Sequence, residues 1–270
     1  MPITNNYTLG RGEIYFARRD PVTKALGGER YLGNTPEFNL TFESENLEHF
    51  SSDRGIREKD RSVILQITRS GSLVTDNVEP QNVALFFFGS TDALTVAQAT
   101  TTETFDGVEP GMFYQLGMTA LNPSGAREVI YPGVAGPPDT TFVVEKVALP
   151  SNIALAAGTD YVLNTALGRI EILEGGALAA GDSIEVTFTV AASTRTRIIS
   201  GSSPIEGALR FVAFNPTGDN IDYFLPSVSL SPNGDYALKS DEWQQIPFTV
   251  EVLKPDSGEA LYADGRAVTA

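Results

Sequence analysis

The stretch Pro36-Glu37-Phe38-Asn39-Leu40-Thr41-Phe42-Glu43 alternates without a break. Phe38, Leu40 and Phe42 take one side; Glu37, Asn39, Thr41 and Glu43 take the other. Side chains of a β-strand alternate with period two, so this is a strand with one buried and one wet face. Residues 62–69 repeat the pattern, with Val63, Leu65 and Ile67 against Gln66 and Thr68. The two segments predict a hairpin. Between them, residues 44–61 are charged and polar: Glu45, Glu48, Asp53, Arg54, Arg57, Glu58, Lys59, Asp60 and Arg61 surround Gly55. A connection this long is uncommon within a compact domain and tends to be functional. It reads as an extended charged loop at the hairpin tip.

The rest of the chain is also strand-rich. Segments 13–18, 208–215, 222–230 and 247–253 carry the Val, Ile, Phe and Tyr of strands between Gly and Pro turns. In the last, Phe248, Val250 and Val252 alternate with Thr249 and Glu251. Period two assigns these apolar residues to the core, with Phe38, Leu40, Phe42, Val63, Leu65 and Ile67. One helix is predicted over 78–88. Asp76 is its N-cap, Glu79 and Pro80 are in the first turn, and Gly89 is the terminator. The middle of the chain changes character. Residues 93–104 have the small, polar composition of a linker. Segments 141–149, 161–164, 169–173 and 183–190 read as strands separated by turns such as Gly136-Pro137-Pro138 and Gly175-Gly176. The fold class is therefore mainly β, with one α-helix in the outer domain and an inserted small β-sandwich of Ig-like pattern. The predicted boundaries are 1–99 and 200–270 for the outer domain and 100–199 for the insert.

Composition narrows the function. The 270 residues hold 19 Lys and Arg against 34 Asp and Glu, a net charge of −15. Such a chain repels a nucleic-acid backbone, which is gripped by positive surfaces. There is no cysteine and a single histidine, His49. This excludes disulfides, thiol nucleophiles and multi-histidine zinc cages. The segment from Met1 to Tyr7 lacks a basic region followed by an apolar one, so no signal peptide is expected. The apolar run 83–88 falls far short of a membrane span. A soluble chain made in a cytoplasm, with no membrane segment, is expected.

No catalytic constellation stands out. His49, Ser51, Ser52 and Asp53 crowd one polar segment, whereas triad partners converge from separate elements beside an oxyanion hole. Asp219-Asn220-Ile221-Asp222 lacks the spacing of a calcium loop and reads as a turn. Gly10-Arg11-Gly12 is too short to cradle phosphate. Trp243 reads as a core or interface anchor. The expectation is a protein with no enzyme activity, no metal and no cofactor.

Several stretches together resemble a known pattern. They are Gly12-Glu13-Ile14-Tyr15-Phe16, Glu29-Arg30-Tyr31-Leu32-Gly33-Asn34-Thr35-Pro36, Ser51-Ser52-Asp53-Arg54-Gly55 and Lys59-Asp60-Arg61-Ser62-Val63. After them come the segment from Glu79 to Gly89, Ile205-Glu206-Gly207-Ala208-Leu209-Arg210, Tyr223-Phe224-Leu225-Pro226 and Leu238-Lys239-Ser240-Asp241-Glu242-Trp243. Their order and spacing resemble the major tail (tail tube) proteins of long-tailed, non-contractile bacteriophages.

The resemblance implies a tail-tube β-sandwich of two sheets with one flanking α-helix, and hexameric rings that stack into a hollow virion tail, from subunits made in the bacterial host cytoplasm. It implies a tape measure protein inside during assembly and tail terminator and tail-tip proteins at the ends. Double-stranded DNA passes through without specific binding. Clearing a duplex takes a backbone circle about 40 Å across, or on the order of 25 strands at ~4.8 Å spacing. Roughly four strands from each of about six subunits supply them. On this reading Glu37, Asn39, Thr41, Glu43, Gln66, Thr68, Thr249 and Glu251 line a negative lumen. Glu48, Asp53, Arg54, Arg57, Glu58, Lys59 and Asp60 make the contact between rings, and the insert faces outward. The competing class is a non-enzymatic β-sandwich adhesion or carbohydrate-binding module, with the insert as ligand binder.

Overall fold

The computed structural model describes residues 7–52, 55–131 and 142–266. In chain order the elements are β1 (Gly12–Arg18), β2 (Arg30–Tyr31), β3 (Glu37–Ser51), β4 (Glu58–Thr75), α1 (Pro80–Phe86), β5 (Ser90–Val96), β6 (Ala99–Val108), β7 (Phe113–Gln115), β8 (Val129–Ile130) and β9 (Phe142–Lys146). They continue with β10 (Ile153–Ala154), β11 (Tyr161–Asn164), β12 (Arg169–Ile172), β13 (Asp182–Val190), β14 (Ser193–Ile199), β15 (Ile205–Ala213), β16 (Ile221–Pro232), β17 (Ile246–Val252) and β18 (Tyr262–Gly265). The protein is mainly β. The chain divides into two compact units, one built from residues up to Asp92 and from Thr196 onward, the other from Ala93–Arg195. No helix among the described residues is long and apolar enough to cross a membrane.

In the first unit, eight strands hydrogen-bond in one sheet in the order β2-β1-β15-β16-β17-β4-β3, with β18 added on β16. Every pairing along this path is antiparallel. One face is apolar. Leu73 stands between Phe38 and Phe248, and Gly71 between Leu40 and Val250. Ile14, Phe16, Leu209, Leu225 and Leu230 complete this core, and Leu85 and Phe86 of α1 join it. The Phe86 and Phe248 rings meet edge to face at 6.2 Å. Aromatic edges and faces attract through their quadrupoles, which favours this arrangement.

The helix is shorter than its sequence suggests, and its caps differ. Glu79 is the N-cap, without a side-chain bond, and Pro80 opens the first turn. Asp76 instead accepts a hydrogen bond from Asn34 at 2.6 Å. At the other end Phe88 takes the left-handed conformation (φ 53°). Phe88 N–H bonds the Leu85 carbonyl (3.1 Å) and Gly89 N–H bonds that of Ala84 (2.8 Å), a Schellman closure. Gly89 is required for another reason than the one its position suggests. A Cβ there would lie 2.0 Å from the Ile199 carbonyl oxygen.

In the second unit, a five-stranded sheet (β10-β9-β13-β6, with β8 on β13) and a three-stranded sheet (β11-β12-β7) enclose their own core. Ile184, Val186 and Phe188 alternate along β13 and are fully buried, as are Ile170 and Ile172 on β12. Residues 93–104 are not a linker. They belong to β5 and β6, which pair with β14 and β13. Their threonines, β-branched and suited to a pleated surface, bond across the ladder: Thr100 to Thr189 (2.8 Å) and Thr102 to Thr187 (2.7 Å). The Gly136-Pro137-Pro138 turn and Thr141 lie outside the described residues.

The charged loop expected over 44–61 is largely strand. β3 runs on to Ser51 and β4 starts at Glu58, so the hairpin is paired almost to its tip. Phe42, Val63, Leu65 and Ile67 do not reach the core; each is about half exposed or more. Two physical reasons account for this. β4 bonds β17 only from Ser70 to Thr75, so the hairpin projects past the last strand that could cover it. Leu65 is also the extra residue of a bulge, since Glu45 pairs with Gln66 but Asn46 pairs with Ile64. A bulge reverses the facing of the residues beyond it, and so Val63 and Ile67 end on opposite faces.

Candidate functional site

Two surfaces of the first unit stand out, and both begin on β3 and β4. The first is the sheet face opposite the core. Cross-strand pairing sets Asn39, Ser72, Thr249 and Ser231 in one row, and Thr41, Ser70, Glu251, Ser229 and Glu206 in the next. Glu37 continues the face at one end; Glu43 opposite Thr68, and Glu45 opposite Gln66, continue it at the other. All eight residues read from the sequence as a wet face, Glu37, Asn39, Thr41, Glu43, Gln66, Thr68, Thr249 and Glu251, thus share one side of one sheet. Asn39 donates to Glu37 (2.6 Å) and Gln66 to Thr68 (3.1 Å), so neighbours along a strand lean together. From Asn39 to Glu45 on β3, and on the β4 and β17 residues paired with that stretch, this face carries carboxylates, hydroxyls and amides but no Lys or Arg; beyond the bulge Arg61, opposite His49, falls on the same side.

The second surface is the projecting arm of the hairpin. Phe42, Leu47, Val63, Ile64, Leu65 and Ile67 are all exposed on it. Monomeric soluble proteins seldom expose large contiguous apolar patches, and those that do use them for contacts. The charges read from the sequence as contacts are partly used within the arm. Glu48 is ion-paired with Lys59, and Asp60 bonds His49 at 2.6 Å. Arg57 lies over the Phe50 ring at 5.2 Å. Glu58 pairs in register with Ser51. Asp53 and Arg54 lie outside the described residues.

The model of one protein family, described as protein of unknown function UCP028589, matches residues 7–123 and 135–260. The chain belongs to that family. No curated protein matches it. The family match takes in the whole polar sheet face, the whole arm and most of the inserted unit.

Sequence reading does not resolve a third surface beyond its single tryptophan. The loop between β16 and β17 exposes Leu238 and Trp243, the latter at 93%. Trp243 is therefore no core anchor. Its loop is nevertheless ordered. Tyr236 packs against Phe86 at 5.8 Å and donates to Gln244 at 3.2 Å, and Gln244 donates to the Ala237 carbonyl at 3.0 Å. A cavity of about 520 Å³ opens where β1 ends and β15 begins, lined by Arg18, Arg19, Lys24, Phe88, Ile199 and residues 200–206. Arg18 donates to the Gly89 carbonyl (3.1 Å), and Arg19 to those of Lys24 (2.8 Å) and Pro226 (3.2 Å). Among the described residues neither guanidinium has a carboxylate partner. No sequence motif announces this pocket, because its wall combines segments nearly 200 residues apart.

Proposed function

We propose that the protein is a structural subunit that polymerises as stacked hexameric rings into the tail tube of a non-contractile bacteriophage. The observation that carries this reading is the β3–β4 arm: a paired hairpin that leaves its own sheet with its apolar side chains uncovered. A lone monomer gains nothing from such an arm, whereas a stacked neighbour covers it and removes that surface from water. The polar sheet face supports the second half of the reading. With Glu37, Glu43 and Glu251, and no Lys or Arg between Asn39 and Glu45 or on the β4 and β17 residues paired with them, it suits a lumen through which DNA slides without sticking. Joining sheets between neighbours also covers edge strands. The inserted unit stands outside the tube on this reading, since a domain of that size in the bore would obstruct DNA in every ring.

Electron microscopy of the purified chain in negative stain tests the reading. Hollow tubes or stacked six-membered rings are expected as concentration rises. A chain that stays monomeric at every concentration contradicts it.

A further inference from the structure

Trp243 and the pocket at Arg18 complement each other chemically. The indole is bare, sits on an ordered loop, and follows Asp241 and Glu242. The pocket offers two guanidinium groups with no carboxylate partner among the described residues, and an ammonium, Lys24, paired with Glu206 at 3.4 Å. Its remaining wall includes apolar Phe88, Ile199 and Pro204. Cations are attracted to aromatic faces, most strongly to that of tryptophan. Charge-assisted bonds from guanidinium to carboxylate are stronger than neutral ones. Both Arg18 and Arg19 are already held by backbone carbonyls, so little side-chain freedom is lost on binding.

Placement identifies the occupant. Trp243 is exposed, so it fills no pocket of its own chain. The pocket lies at the β1–β15 side of the sheet, and the loop joins β16 to β17 further along the strand order. Both lie at the same end of the strands, since Arg18 pairs with Gly207, Ile205 with Leu230 and Pro232 with Phe248. In a chain of net charge −15, a pocket lined by three cations against one carboxylate, Glu206, is also a place where an acidic segment of another copy is welcome.

We infer that the Asp241-Glu242-Trp243 segment of one copy docks into the Arg18–Arg19–Lys24 pocket of a second copy. The contact is heterologous: each copy gives a knob and receives one, which generates rings or filaments. The inference rests on the self-assembly reading above and names a lateral contact within it.

The single tryptophan makes the test direct. Assembly of the wild-type chain is followed by sedimentation, with Trp243 emission and acrylamide quenching read alongside. Emission should shift to shorter wavelength and quenching fall as assembly proceeds. Trp243→Ala and Lys24→Glu should each raise the concentration needed for assembly roughly tenfold or more, as loss of an interface hot spot does. Both residues are exposed, so thermal midpoints should stay at the wild-type value, which separates lost docking from lost folding. Mixing the two variants should yield one-to-one lateral pairs and no closed ring, because only one knob meets an intact pocket. A wild-type chain that assembles with Trp243 emission unshifted overturns this contact and leaves the tube reading intact. A wild-type chain that never assembles overturns both.

Discussion

The hairpin β3–β4 is two regions with one sequence pattern and opposite fates. At its root, Phe38 and Leu40 sit against Leu73, Phe248 and Val250, and Leu73 is fully buried. Along the arm, Phe42, Leu65 and Ile67 continue the apolar pattern and stand exposed. Alternation therefore reports strand and facing, while burial depends on whether another element arrives to cover the face. At the root β17 and α1 arrive; on the arm nothing within the described chain does.

The largest expected difference between root and arm is in folding stability. Leu73→Ala should destabilise the monomer by about 2–5 kcal/mol, the cost of a cavity in a close-packed core. Leu65→Ala should leave monomer stability within about 0.5 kcal/mol of wild type, as for an exposed position. Urea titration of both variants checks this, and equal losses would break the comparison. The next effect is on assembly. Replacing residues 46–63 by Asn-Gly should keep the subunit folded, because the root and core are untouched, yet abolish tubes in negative stain. A shortened subunit that still forms long tubes assigns the arm no assembly role.

Much of this is legible in the sequence, and the gaps have physical causes. The root, β16 and β17 are readable because one buried face imposes period two. The polar face is readable for the same reason, and its eight residues do share one side. The arm reads as a loop because charged residues at its end hide a ladder whose bonds run through the backbone. The bulge at Leu65 has no sequence signal, and it undoes the facing that alternation assigns to Val63. Residues 93–104 read as a linker when threonine is counted as polar and not as β-branched. The pocket at Arg18 arises from chain segments that meet only in three dimensions.

Two smaller effects sharpen the contrast further. Glu37→Lys with Glu251→Lys adds cations to the polar face far from the core. Folding and tube formation should be unchanged, and DNA ejection from assembled virions should slow through phosphate attraction. Unchanged ejection kinetics would remove the steering role. The smallest effect is on the pH dependence of the inserted unit. The Ala156 and Ala177 N–H groups hold the Asp160 carboxyl below the ordinary carboxylate range. The Lys146 ammonium, with the Ala179 N–H, does so for Asp182. A carboxylate whose folded pKa is lowered stabilises the fold above its unfolded pKa of about 3.9, and that contribution fades as pH falls through the folded value. Asp160→Asn should therefore cost more stability at pH 7 than at pH 3 by urea titration; a pH-independent cost would contradict the assignment.

Burial of the arm by a neighbouring copy is the central claim, and thiol labelling measures it most directly. The chain has no cysteine, so Leu65→Cys gives a single reporter. The thiol should react freely in the monomer and at least roughly tenfold more slowly once tubes have formed. Equal labelling rates in monomer and tube would show that the arm's apolar side chains stay in water, and would contradict the account.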